Sequence, residues 1–144
     1  PMIDIEDIKN LNLKAISKKS DIATLACKIK DETILKNSNT VKVITEQELF
    51  NNNISKAIKF SRESLSNSRI NVYHHIGIYI YKVSILDKFV NLKQTQNEIS
   101  QKLEQLRAMD NKISIDVILA NSSPIGVDTH EDYLEIKKLM KYKN

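Results

Sequence analysis

The sequence predicts an α/β layered fold around a mainly parallel sheet. Three observations point that way. Segments with two-residue apolar alternation take turns with segments of helical spacing. No internal repeat, low-complexity tract or flexible linker breaks that order. The length of 144 residues suits one domain over 1–144, which buries roughly two-thirds of its unfolded surface without disulfides or metal staples.

The elements follow in order. Asp4 can cap a helix over 5–18, with Ile5, Ile8, Ala15 and Ile16 on one side and Leu11 and Leu13 nearby. Residues 22–29 alternate through Ala23, Leu25, Cys27 and Ile29 and read as a strand. Short strands are expected at Val41–Ile44 and Lys56–Phe60. Residues 61–73 carry charges and serines without periodicity and read as a loop. Residues 74–82 read as a strand, and Ile85–Val90 and Ile99–Met109 as helices. Ile113, Ile115, Val117 and Leu119 alternate as the last strand. A final helix starts after Thr129, which forms an acidic variant of the capping box with Asp132. Lys137, Lys138, Lys141 and Lys143 crowd its C-terminal end, where the helix dipole favours cations.

Composition removes several classes of function. Two glycines, Gly77 and Gly126, cannot build a Gly-rich phosphate loop. One cysteine, Cys27, rules out an internal disulfide and a multi-cysteine zinc site, and it fits a reducing compartment. No run reaches the roughly 18 apolar residues of a membrane span, and no basic-then-apolar leader opens the sequence, so neither membrane nor secretion is expected. The net charge of +4 comes from lysines spread along the chain, with only Arg62, Arg69 and Arg107 as arginines. A nucleic-acid-binding module would show a basic stripe interleaved with aromatics. None is present, so a solvated lysine surface and no nucleic-acid partner are expected.

Three segments can carry chemistry. In His75-Ile-Gly77-Ile-Tyr79, strand alternation puts His75, Gly77, Tyr79 and Tyr81 on one face and Ile76, Ile78 and Ile80 on the other. The apolar face is core. The polar face is either the floor of a groove, with Gly77 marking close approach of a ligand or backbone, or a half-buried surface packed under a loop. Gly126-Val-Asp128-Thr129 lies between a strand end and a helix start. Ligands of open α/β sheets bind there, and Asp128 is an oxygen donor suited to Mg²⁺ or simply a partner of the helix dipole. In Leu103-Glu-Gln-Leu-Arg107, a buried stripe of Ile99, Leu103, Leu106 and Met109 would leave Glu104 and Gln105 off the core, roughly 145° and 115° from its centre, which by itself is the pattern of a solvated helix face. Arg62 and Arg69 lie in the irregular loop, where two arginines either clamp a carboxylate or phosphate or simply face solvent.

Taken together, these segments resemble the C-terminal part of the CMP-KDO synthetase family, the 3-deoxy-manno-octulosonate (KDO) cytidylyltransferases. The resemblance rests on Pro1-Met-Ile-Asp4, Asp21-Ile-Ala-Thr-Leu-Ala26, Phe60-Ser-Arg62, His75-Ile-Gly-Ile-Tyr79, Leu103-Glu-Gln-Leu-Arg107 and Gly126-Val-Asp-Thr129, in that order and spacing. It implies a Rossmann-like nucleotidyltransferase fold, normally a homodimer, that transfers CMP from CTP to KDO with Mg²⁺ in the cytoplasm for lipopolysaccharide synthesis. It implies further that Asp128 is a metal-binding aspartate and that His75, Tyr79, Glu104, Gln105 and Arg69 hold the sugar acid. The family usually has Ile-Pro where Leu65-Ser66 stands, and Thr-Pro-Leu-Glu where Thr95-Gln-Asn-Glu98 stands. The family's basic CTP loop and second metal-binding aspartate would lie before Pro1. The chain is therefore expected to be the sugar side of a cytidylyltransferase, inactive alone, or a non-catalytic remnant that can still dimerise.

Overall fold

A computed structural model of the chain describes residues 3–50, 53–64, 70–121 and 130–141. The elements run α1 (Ile5–Lys18), β1 (Ile22–Lys28), α2 (Glu32–Lys36), β2 (Lys42–Thr45), β3 (Ile54–Ser61), β4 (Val72–Tyr81), α3 (Val83–Val90), α4 (Gln96–Gln101), α5 (Gln105–Asp110), β5 (Ile115–Leu119) and α6 (His130–Lys141). Among the described residues, no helix is long and apolar enough to cross a membrane.

α1 has the expected bounds, and the Asp4 carboxylate accepts from the Glu6 backbone N–H at 2.9 Å. Its buried stripe differs from the expected one. Asp7, Leu11 and Ala15 face inward, while Ile5 and Ile16 are about two-thirds exposed, at 67% and 66%. The spacing of four puts these three on one stripe. Asp7 can be buried because its carboxylate accepts from both the backbone N–H and the side-chain amide of Asn121, at 2.8 and 3.0 Å. An apolar count turns the helix by treating an aspartate as solvent-facing.

The sheet is mixed, and its pairings run mostly antiparallel, which corrects the mainly parallel expectation. β1 pairs in parallel with β5, but β1–β4, β2–β3, β2–β4 and β3–β5 are antiparallel. The connections 46–53 and 62–71 are too short for the dozen or so residues of a parallel crossover. Alternation of element types along the chain does not record strand direction. The pairings also close into a ring, β1-β4-β2-β3-β5 and back to β1. β3 makes the closure by pairing Ala57–Ser61 with β2 and Ile54–Lys56 with β5.

β1 lies between β4 and β5, and Ile22–Cys27 are buried throughout. One side of it packs Ala23, Leu25 and Cys27 with Leu11 and Ala15 of α1 and with Ile76 and Ile118. The other side packs Ile22 and Ala26 with Val43, Phe60, Tyr73 and Val117, and with Phe89, Leu103 and Ala108 from the α3–α5 region.

The single helix expected over Ile99–Met109 is two short ones. Lys102 adopts the left-handed conformation, with φ of 52°, and ends α4. The break resets the helical phase. Ile99 is 53% exposed, and Gln105, expected off the core, is buried. α4 starts with a complete capping box between Thr95 and Glu98, so the two residues this chain shares with Thr-Pro-Leu-Glu are the two that form it. Gln96 takes the first helical position, where proline would also be tolerated.

Candidate functional site

The side of the sheet beneath α3–α5 carries the polar groups singled out from the sequence. The β1–β4 register jumps there. Thr24 stands opposite Tyr79, while Leu25 stands opposite Ile76, so Gly77 and Ile78 have no partner on β1. Such a bulge bends the strand and re-aims its side chains. Gly77 is exposed, and a Cβ built on it would meet nothing within 4 Å. No other backbone approaches it, and the space beside it is open.

Around the bulge runs a row of rings. Phe60 meets His75 edge-on at 5.0 Å, His75 lies 5.4 Å from Tyr79, Tyr79 6.1 Å from Tyr81, and Tyr81 5.7 Å from Phe89. The Arg107 guanidinium sits over the Phe89 ring at 4.8 Å. At its Phe89 end the row meets α3 and α5.

The electrostatics of this row follow from burial. His75 is 8% exposed, and burial, reinforced by neighbouring His74, pushes its pKa down to about 3. The ring is neutral at physiological pH. Burial raises the Tyr79 hydroxyl, and the Tyr81 hydroxyl and Glu104 carboxylate nearby raise it further. Tyr81 is raised by burial and by Glu104 as well. Glu104 thus lies within electrostatic reach of Tyr79 and Tyr81, though β4 and the start of α5 are distant in sequence. The Gln105 side chain is buried beside it. Among the described residues, no hydrogen-bond partner is found for the Gln105 amide or the Tyr79 hydroxyl.

The structure thus brings His75, Tyr79 and Glu104 to one side of the sheet and buries Gln105 in the adjoining helix. Arg69 and Asp128 lie outside the described residues. Their flanks are described: β5 ends at Leu119, and α6 begins at His130. Asp7 holds Asn121 at the entrance to that connection.

Several contributing residues were not singled out from the sequence. Thr24 hydrogen-bonds His75 Nε2 at 3.0 Å. Its signal is a polar side chain inside the run Ile22–Cys27, which demands a partner. The ammonium of Lys42, a buried lysine that two valines flank in the sequence, donates to the carbonyls of Asn37 at 2.9 Å and Arg62 at 3.1 Å. Arg107 pairs with Glu98 across nine residues, a separation that no helical spacing predicts.

Comparison with known proteins now decides the family. A family model described as cytidylyltransferase matches residues 1–115. The chain belongs to the cytidylyltransferase family. It is 39% identical to a 3-deoxy-manno-octulosonate cytidylyltransferase of Bartonella bacilliformis over 121 residues, covering 84% of this chain and 49% of that protein. It is 38% identical to the protein of that description from Brucella anthropi over 132 residues, covering 92% and 53%. A solved CMP:2-keto-3-deoxy-manno-octonic acid synthetase complexed with CTP superposes with a TM-score of 0.85 at 27% identity, over 100% of this chain and 59% of that one. A UTP-bound UGPase from Acinetobacter baumannii shares the fold alone, with a TM-score of 0.64 at 9% identity. This cytidylyltransferase chain spans about half the length of the curated relatives it matches.

Proposed function

We propose that this cytidylyltransferase chain forms the sugar-acid side of a site that transfers CMP from CTP to KDO, giving CMP-KDO and pyrophosphate. The observation that carries the reading is the pair His75 and Tyr79 flanking an open bulge on β4, with the Glu104 carboxylate within electrostatic reach of Tyr79. A polyhydroxylated acid supplies donors and acceptors for such groups, and the aromatic row offers its carbon skeleton an apolar floor. The names of the similar proteins in Bartonella and Brucella point to the same substrate.

In the transfer, the anomeric hydroxyl of KDO attacks the α-phosphate of CTP and gives up its proton to solvent, an O–P bond forms, and the bond to the leaving pyrophosphate breaks. No side chain need act as nucleophile. His75, Tyr79, Glu104, Gln105 and Arg69 orient the sugar so that its hydroxyl lies in line, and misplacement of about 1 Å can cost on the order of a hundredfold in rate. Asp128 would hold Mg²⁺, since a carboxylate oxygen is the donor that ion takes. When bound, the ion neutralises charge developing on the phosphate oxygens. The same reading carries a homodimer and a cytoplasmic setting, which sedimentation and cell fractionation test.

Calorimetric titration of the chain with KDO is the direct test. Saturable binding that is lost when Glu104 and Gln105 are both replaced by alanine is expected. A folded chain that takes up no KDO, with or without CTP and Mg²⁺, overturns the reading.

A further inference from the structure

We propose that Thr24 is a positioning residue that locks His75 in its Nε2–H tautomer, so that the Nδ1 lone pair accepts a hydrogen bond from a hydroxyl of the sugar acid. The ligand part of this inference rests on the function proposed above. The tautomer part does not.

The argument is a count of protons. The Thr24 hydroxyl oxygen lies 2.8 Å from the carbonyl oxygen of Ile78, 3.3 Å from that of Ile76 and 3.0 Å from Nε2 of His75. A hydroxyl has one proton to donate and lone pairs to accept with. The carbonyls on the bulge can only accept. The proton therefore goes toward Ile78, the nearer of the two. Nε2 must then be the donor to Thr24, because an unprotonated Nε2 would set two lone pairs against each other. Such assignments come from the surrounding network, and here the network leaves one consistent choice.

A neutral imidazole with its proton on Nε2 has an acceptor at Nδ1. Neutrality is supported by the burial that lowers this ring's pKa to about 3. Among the described residues, Nδ1 has no hydrogen-bond partner. An acceptor cannot bind a carboxylate, which is itself acceptor-only when ionised. It can bind a hydroxyl. His75 is therefore expected to read a sugar hydroxyl, leaving the acid group of the ligand to cationic side chains. The β4 bulge is what makes this possible, because it turns two carbonyls toward the Thr24 hydroxyl and so fixes which way that hydroxyl donates.

The experiment is long-range ¹H–¹⁵N correlation on the histidine-labelled chain near neutral pH, with probe KDO added. His75 is assigned by comparison with His74→Asn and His130→Asn. The Nε2–H pattern is expected for His75. A Nδ1–H or imidazolium pattern overturns the proposal outright, whatever the ligand does. Thr24→Val, which keeps the shape and removes the hydroxyl, should release the lock and give mixed tautomers, and Thr24→Ser should restore the single one. A single Nε2–H tautomer in folded Thr24→Val shows that Thr24 is not the lock. Should Thr24→Val not fold, the Thr24→Ser spectrum decides, and loss of the Nε2–H tautomer in it sinks the lock. KDO should shift the Nδ1 resonance, and Thr24→Val should weaken KDO binding by about tenfold or more. Binding of KDO that leaves Nδ1 unmoved overturns the hydroxyl contact. If KDO does not bind while the Nε2–H pattern holds, the substrate reading and the hydroxyl contact fail together and the Thr24 lock stands.

Discussion

Arg107 grips Glu98 through two hydrogen bonds, from Nε at 2.8 Å and from Nη2 at 2.6 Å. The pair ties the start of α4 to the middle of α5 across the break at Lys102. Glu98 also completes the capping box with Thr95, and Nη2 reaches the Glu104 carboxylate at 3.4 Å. One guanidinium thus closes a helix start, stacks on Phe89 and borders the residues proposed to meet the sugar.

Breaking that clamp should destabilise the fold in a pH-dependent way. The Arg107 hydrogen bonds hold the Glu98 carboxyl at about 2, well below its ordinary 4.5. A depressed carboxyl contributes stability above its unfolded value, and that contribution is lost as pH falls toward the folded one. Arg107→Ala should lower stability by about 1–2 kcal/mol near neutral pH, as hydrogen bonds to charged groups do near a surface. Urea denaturation should show the difference from wild type shrinking between about pH 4.5 and 2. A difference independent of pH would locate the effect in lost packing on Phe89.

Lys42 is a buried cation held by carbonyls, and burial followed by the charge of Arg62 lowers its pKa. Lys42→Met should leave the carbonyls of Asn37 and Arg62 without their donor, costing roughly 1–3 kcal/mol. Thermal denaturation checks the cost. Unchanged stability would mean that water replaces the ammonium.

Gly77 separates a structural role from a ligand-related one. It has no positive φ, and its missing Cβ would touch nothing. Gly77→Ala should therefore fold with equal or slightly higher stability, since alanine loses less backbone freedom in a strand. KDO affinity should nevertheless fall, because the methyl group occupies the open space beside the bulge. Unaltered KDO affinity would place the sugar elsewhere.

His75 should not titrate in the range where histidine usually does. With its pKa pushed to about 3 by burial and by His74, its ring carbon-bound proton resonances should stay fixed from about pH 8 to 5. Acidification from about pH 6.5 toward 3 should destabilise the fold, because the unfolded chain takes up the proton first. A midpoint near 6.5 would show that water reaches the ring.

Asp128→Asn, in an enzyme carrying this chain, should abolish Mg²⁺-dependent CMP-KDO formation while leaving the circular dichroism spectrum unchanged. Full turnover at saturating Mg²⁺ would remove Asp128 from the metal site.

Much of the local structure was legible in the sequence for a physical reason: it is set by neighbours in the chain. Asp4 caps α1 because its carboxylate reaches a backbone N–H two residues on, and the alternation in 22–29 and 113–119 marks strands because β side chains alternate faces. The order of short motifs placed the chain in its family, and it placed His75 and Tyr79 on one strand and Glu104 and Gln105 on one helix, though in its middle and not at its start. What only the tertiary structure decided depends on contacts across the chain. The strands are mostly antiparallel because direction is set by connection geometry, which element order does not encode. Gln105 is inside because one left-handed residue, Lys102, shifts the helical phase. Asp7 is buried because Asn121 arrives to bond it. Thr24 meets His75 because a bulge offsets β4 against β1 by two residues. Each of these turns on a partner more than a helical turn away or on a single backbone torsion, and a pattern of residue types carries neither.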